Sequence, residues 1–321
     1  MRWARMAGPG SLGDAGPGKP AFPPALAVAI AVLSVSFAAP LFRLADAPPI
    51  TASFWRLALA SLLILPFTAK AWGVWRGYTA RDWGITAASG VALGLHFGLW
   101  VWSLEYTSVA ASTCLVTLQA VFVALGGHFL LGDRLHRAGW AGIALAIAGA
   151  IAIALADRST APQPDKALLG DALALAGGLG SAAYMLIGRR LRATRGLVEY
   201  VFPVYALAAL TLFTALPLVG QSAWDGVDSR SFLFFVLLAA VPMLGGHTIA
   251  NWVVRYIPAH TVATWILLEP VGAALLAWPI LGEVPVLGVV LGGALVLVGA
   301  TLTIPRRGSA AASPVATEPA G

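Results

Sequence analysis

Apolar residues run through this 321-residue chain in long stretches, not in the short alternations or one-faced stripes of a water-soluble domain. Runs of about 18–25 such residues match the hydrocarbon core of a bilayer, roughly 30 Å thick, at about 1.5 Å rise per residue. Ten recur, near residues 24–42, 51–69, 83–103, 107–130, 138–156, 168–188, 198–219, 232–254, 259–280 and 285–305. Polar residues collect in short connections between them. The longest clearly polar one, Asp157 to Lys166, is too small for an extramembrane domain. The pattern predicts an all-α membrane protein with ten transmembrane helices.

The chain also repeats itself. At an offset of 150 residues, Gln119 falls on Glu269 and Leu131-Gly132-Asp133 on Leu281-Gly282-Glu283. At the same offset Gly142 and Gly149 fall on Gly292 and Gly299, and Trp102 and Tyr106 fall on Trp252 and Tyr256. Two five-helix repeats follow, 24–156 and 168–305. Because five is odd, the second enters the membrane from the opposite side, so the repeats are inverted. Inverted repeats are a recurrent plan of secondary transporters, with the substrate site near the midplane between halves that rock against each other.

Composition narrows the picture. Hydrophobic residues make up 59% of the chain and charged ones 11%, with a mean hydropathy of +0.83, more apolar surface than a soluble core could hide. The net charge of +6 does not point to nucleic acid, because the basic residues sit in short loops. With the N-terminus in the cytoplasm, 15 of the 20 Lys and Arg lie in inside segments and 4 in outside ones, Arg56 being within a span. The positive-inside rule therefore places both termini in the cytoplasm of a cell inner-membrane protein. The ends, 1–23 and 306–321, are rich in Gly, Pro, Ala and Ser and are expected to be disordered tails. Ala45-Asp46-Ala47 resembles a signal-peptidase site. The apolar run before it is too long, and Pro40 and Arg43 intervene, so the first span is expected to stay. The single Cys114 allows no intramolecular disulfide.

Three segments carry a family resemblance: ITASFWRLALASLLILPF in the second span, LHFGLWVWSLEYTSVAASTCLVTLQAVFVAL leading to LGDRL, and GGHTIANWVVRYIPAHTVATWILLEPVGAALLAWPILGE. Over about residues 24–305 the sequence resembles the drug/metabolite transporter superfamily, in its EamA-domain branch of ten-helix exporters. The resemblance implies a secondary carrier that exports amino acids, related metabolites or toxic compounds. The sequence departs from the family pattern where a proline usually follows the first-half glutamine. Ala120 follows Gln119, and Asp133 replaces the usual glutamate. Nothing in the sequence therefore secures a kink in the fourth span, whereas Glu269-Pro270 keeps one in the ninth.

Few polar groups lie deep in the spans. Glu269, about 15 Å into the ninth at helical rise, is the deepest acid and the candidate proton carrier. Pro270 removes a backbone donor beside it and loosens the helix where a cavity could form. Arg56 is suited to bidentate recognition of a substrate carboxylate, or else its long stem snorkels to the interface. His96 and His247 take nearly equivalent places in the third and eighth spans. His247, Asn251 and Arg255 share a helix face at i, i+4, i+8, although an intramembrane histidine often serves only as an interhelical hydrogen bond. Thr261, Trp265 and Glu269 line one face of the ninth span, and Ser108, Ser112 and Gln119 one face of the fourth. Trp100 and Tyr184 are candidate aromatic walls. Gly90, Gly94 and Gly98, and Gly288 with Gly292, read instead as close helix contacts.

No Walker A, HExxH or GxSxG motif occurs. No catalytic residue, metal site or cofactor is expected, and the driving force is an ion or substrate gradient. The expected partners are a small-molecule substrate, protons and membrane lipid, with a homodimer compatible with the sequence. An intramembrane enzyme or a passive channel on the same helical body is the alternative.

Overall fold

The computed structural model describes residue 20, residues 22–131, 135–156, 161–192 and 195–253, Tyr256, Val262 and residues 265–303. Nearly all of both tails, Gly132-Asp133, Arg255 and Thr261 lie outside them. Every regular element among the described residues is helical. The first run is two helices, α1 (Pro24–Ser36) and α2 (Ala38–Ala45), because Pro40 has no N–H to return to the Ser36 carbonyl. Then come α3 (Pro49–Ile64), the short α4 (Trp72–Arg76) and α5 (Ala80–Ser103). The fourth run is α6 (Val109–Val116) and α7 (Gln119–Gly126), continued by a π-helical turn, Gly127–Leu131. Three continuous helices follow: α8 (Arg137–Ala156), α9 (Ala167–Arg192) and α10 (Leu197–Ala215). The eighth run joins α11 (Ser229–Leu238), a π-helical stretch Ala239–Thr248 and α12 (Ile249–Val253). The chain closes with α13 (Glu269–Leu281) and α14 (Leu287–Thr303).

Eight of these runs are long and apolar enough to cross a membrane, and α13 and α14 are shorter apolar helices of 13 and 17 residues. The chain is an integral membrane protein. Large apolar side chains such as Leu130, Leu155 and Leu275 face outward, as they do when lipid is the solvent.

Glycines set how the helices meet. A side chain on Gly90, Gly94 or Gly98 of α5 would run into Val204–Leu212 of α10, so these residues act as the close-contact steps expected of them. Gly177 and Gly180 of α9 bring that helix against the backbone of His96 and Trp100. Among the described residues, the backbones of α8 and α14 approach each other most closely at their glycines. A Cβ on Gly142 would meet the Gly299 carbonyl at 2.5 Å, and one on Gly149 the Gly292 carbonyl at 2.6 Å. The two helices are therefore antiparallel. Their pairings also exchange under the 150-residue offset, since 142 maps to 292 and 149 to 299.

The fourth run breaks although Ala120 stands where a proline would. Leu118 N–H turns back to the Leu115 carbonyl at 3.1 Å and Ala120 N–H to Thr117 at 3.1 Å, so the helix restarts at Gln119. The cause is local competition for backbone acceptors. Thr113 Oγ1 donates to the Val109 carbonyl and Thr117 Oγ1 to the Cys114 carbonyl, both at 2.7 Å. The ninth run departs at the matching place: Leu268 N–H bonds the Trp265 carbonyl at 3.0 Å and α13 restarts at Glu269.

Candidate functional site

Arg56 lies seven residues into α3, about 10 Å along its axis. It does not snorkel. Its side chain is 0% exposed, and its guanidinium carbon sits 4.1 Å from the centre of the Phe97 ring and 5.5 Å from that of Phe42. Aromatic faces attract a cation but accept no strong hydrogen bond, and all three guanidinium nitrogens are buried without a hydrogen-bond partner.

Several polar groups from other helices gather around this cation. Glu269, at the first position of α13, is half-buried and within electrostatic reach of Arg56, as are Tyr205 of α10, His96 and His247. His96 and His247 both pack against Phe97, at 4.6 and 5.4 Å between ring centres. The His96 Nδ1 lies 2.9 Å from the Gly177 carbonyl. A carbonyl can only accept, so Nδ1 carries the proton and Nε2 is left as an acceptor when the ring is neutral. Trp100 stacks parallel to His96 at 6.2 Å and meets Phe42 edge-on at 5.9 Å. Its indole Nε1 is a second buried donor with no partner.

A hydrogen-bonded rim closes the cluster. Asn251 donates from Nδ2 to the Tyr184 hydroxyl at 3.2 Å, and the Tyr205 hydroxyl lies 3.1 Å from Thr248 Oγ1. Tyr184 also stacks on Tyr200. Thr248 and His247 belong to the π-helical stretch, which carries Pro242, a residue that cannot continue an ordinary helical ladder.

Seven of the sequence-selected residues thus come together: Arg56, His96, Trp100, Tyr184, His247, Asn251 and Glu269. Two do not. Trp265 is 40% exposed. Gln119 is half-buried at the start of α7, where Gly178 of α9 approaches its backbone. Phe42, Phe97 and Tyr205 complete the cluster, and nothing in the sequence separates them from the many other aromatics of the apolar spans. Among the described residues, no group of three or more His, Cys, Asp or Glu is placed to hold a metal ion.

The chain matches a family of membrane transporters along nearly its whole length. The EamA-like transporter model matches residues 23–155 and again 168–304. The chain belongs to the EamA-like transporter family. It is a membrane transporter of the drug/metabolite type, with a small-molecule substrate and membrane lipid as partners. An uncharacterized transporter of Archaeoglobus fulgidus is 25% identical, the alignment covering 88% of this chain and 96% of that one. The riboflavin transporter of Rhizobium johnstonii is 33% identical over 33% of this chain and 34% of its own. A protein of known crystal structure shares the fold, with a TM-score of 0.60 at 20% identity, over 87% of this chain and 95% of that one.

Proposed function

We propose that this transporter is a proton-linked secondary carrier of the cell inner membrane that exports small zwitterionic or amphipathic metabolites, such as amino acids and their analogues. The carrying observation is the fully buried Arg56 guanidinium with no hydrogen-bond partner. An uncompensated buried cation is costly, and a carboxylate entering the cluster would supply the missing acceptors in bidentate form. Glu269 serves as the proton-carrying partner, half-buried at a helix restart where the backbone loosens. Trp100 and Phe97 contribute the apolar walls.

The same reading has ten spans in two inverted five-helix repeats, 24–156 and 168–305, with both termini cytoplasmic. The antiparallel, offset-exchanging glycine crossing of α8 and α14 supports it. So do the paired helix restarts at Gln119 and Glu269.

A resistance screen tests the substrate class. Cells overexpressing the chain should survive toxic amino-acid analogues, and Arg56→Lys should lose most of that protection. Equal protection by Arg56→Lys rules out bidentate recognition. In proteoliposomes loaded with a protective analogue, Glu269→Gln should abolish uptake driven by a pH gradient and spare substrate counterflow. If pH-driven uptake is unchanged, Glu269 is not the coupling group. Absence of saturable counterflow in the unaltered protein would favour a channel.

A further inference from the structure

A second polar cluster lies at the end of the bundle where α2, α6, α9 and α13 finish or begin. Arg43, in the last turn of α2, places Nη2 3.3 Å from Oε1 of Glu283 and donates to the Thr107 carbonyl at 3.0 Å. The other Glu283 oxygen, Oε2, accepts the N–H of Val109, the first residue of α6, at 2.9 Å. Thr107 Oγ1 in turn donates to Oδ1 of the buried Asp171 on α9 at 2.8 Å. Each charge also suits its helix end, a carboxylate at the N-terminus of α6 and a guanidinium at the C-terminus of α2. Gly282 holds Glu283 in place. Its φ of +74° ends α13 in the left-handed turn that favours glycine. A cleft of about 320 Å³ opens beside this cluster, lined by Ser108, Ala110, Ala277 and Glu283 among others.

Glu269, Ala273 and Ala277 stand at i, i+4, i+8 and so share one face of α13. Ala277 lines the cleft, Ala273 is 1% exposed, and Glu269 belongs to the central cluster. Small side chains thus occupy the α13 face between the central acid and the cleft, and Glu283, the partner of Arg43, lines the cleft itself.

We propose that Arg43, Glu283 and Thr107–Val109 form the outer gate of the transport path, shut in this structure. The pair ties the end of the first span to the loop after the ninth and to the start of the fourth. The gate therefore opens when α13 and α6 move away from α2. Its two charged partners are each only about a quarter exposed, dry enough to hold and wet enough to be released. The assignment to the outer side rests on the orientation proposed above.

Thiol labelling tests the gate without a known substrate. The native Cys114 is replaced by serine and a cysteine placed at Ala273, giving C114S/A273C. A membrane-impermeant maleimide is then applied to intact cells and to inverted membrane vesicles. With the gate residues intact, labelling of A273C from the cell exterior is slow. Glu283→Gln and Arg43→Gln are each expected to speed it about fivefold, equivalent to ~1 kcal/mol of lost closure, while Arg43→Lys stays near the parental rate. Should Glu283→Gln fail to accumulate in the membrane, the contrast between Arg43→Gln and Arg43→Lys decides. Unchanged labelling in both glutamine variants overturns the gate. Faster labelling confined to inverted vesicles overturns its placement on the outer side. Labelling needs no substrate, so failure of the substrate class in the resistance screen leaves this result standing.

Discussion

The Arg56 guanidinium rests 4.1 Å above the Phe97 ring and meets no hydrogen-bond acceptor. A buried charge kept in this condition costs folding free energy, and an apolar residue of similar volume relieves it by about 1–3 kcal/mol. Arg56→Met should therefore raise the thermal unfolding midpoint in detergent while abolishing substrate counterflow. A lowered midpoint would mean that Arg56 holds the fold together, and the substrate reading would lose its main support.

The break before Gln119 forms without proline, so adding the proline should disturb little. Ala120 is the second residue of α7, and its N–H bonds only the Thr117 carbonyl three residues back. Ala120→Pro is expected to cost below about 1 kcal/mol, while Ala124→Pro, inside the same helix, should cost about 3 kcal/mol or more. Thermal unfolding of the two variants side by side checks this. Equal damage from both would show that the helix is continuous through residue 120.

Glycine-to-alanine changes should sort by what the new methyl meets. At Gly149 and Gly299 it meets backbone of the opposite helix at 2.6 and 2.5 Å, and each change should destabilise by about 1–3 kcal/mol. At Gly84, in α5, nothing lies within 4 Å, so Gly84→Ala should gain about 0.5–1 kcal/mol through helix propensity. Unfolding midpoints of the three single variants provide the measurement.

Much of this was legible in the sequence, for physical reasons that also mark where legibility stopped. The long apolar runs stand out because a bilayer imposes one length on whatever crosses it. Arg56, His96, His247 and Glu269 stand out because charged or titratable groups inside such runs are rare. Helical periodicity misled where the helices are interrupted. Trp265 and Glu269 share a face only if the helix is continuous between them, and the chain turns at Leu267–Leu268. Ser112 and Gln119 are separated in the same way by the turn at Thr117–Leu118. Arg43 and Glu283 passed as a topology charge and a repeat position because their pairing joins residues 240 positions apart, a relation that no local pattern encodes.

The crossing of α8 and α14 has a mechanical meaning for the proposed carrier. When two halves exchange roles, most points of contact between them must slide, and any tight fit among those points resists the exchange. Points on the axis that relates the halves stay where they are. In the proposed inverted-repeat arrangement, Gly142 against Gly299 and Gly149 against Gly292 straddle that axis. Backbones touching there can stay locked in every state, so the protein can hold its halves together most firmly at the one place where firmness does not slow the transport cycle.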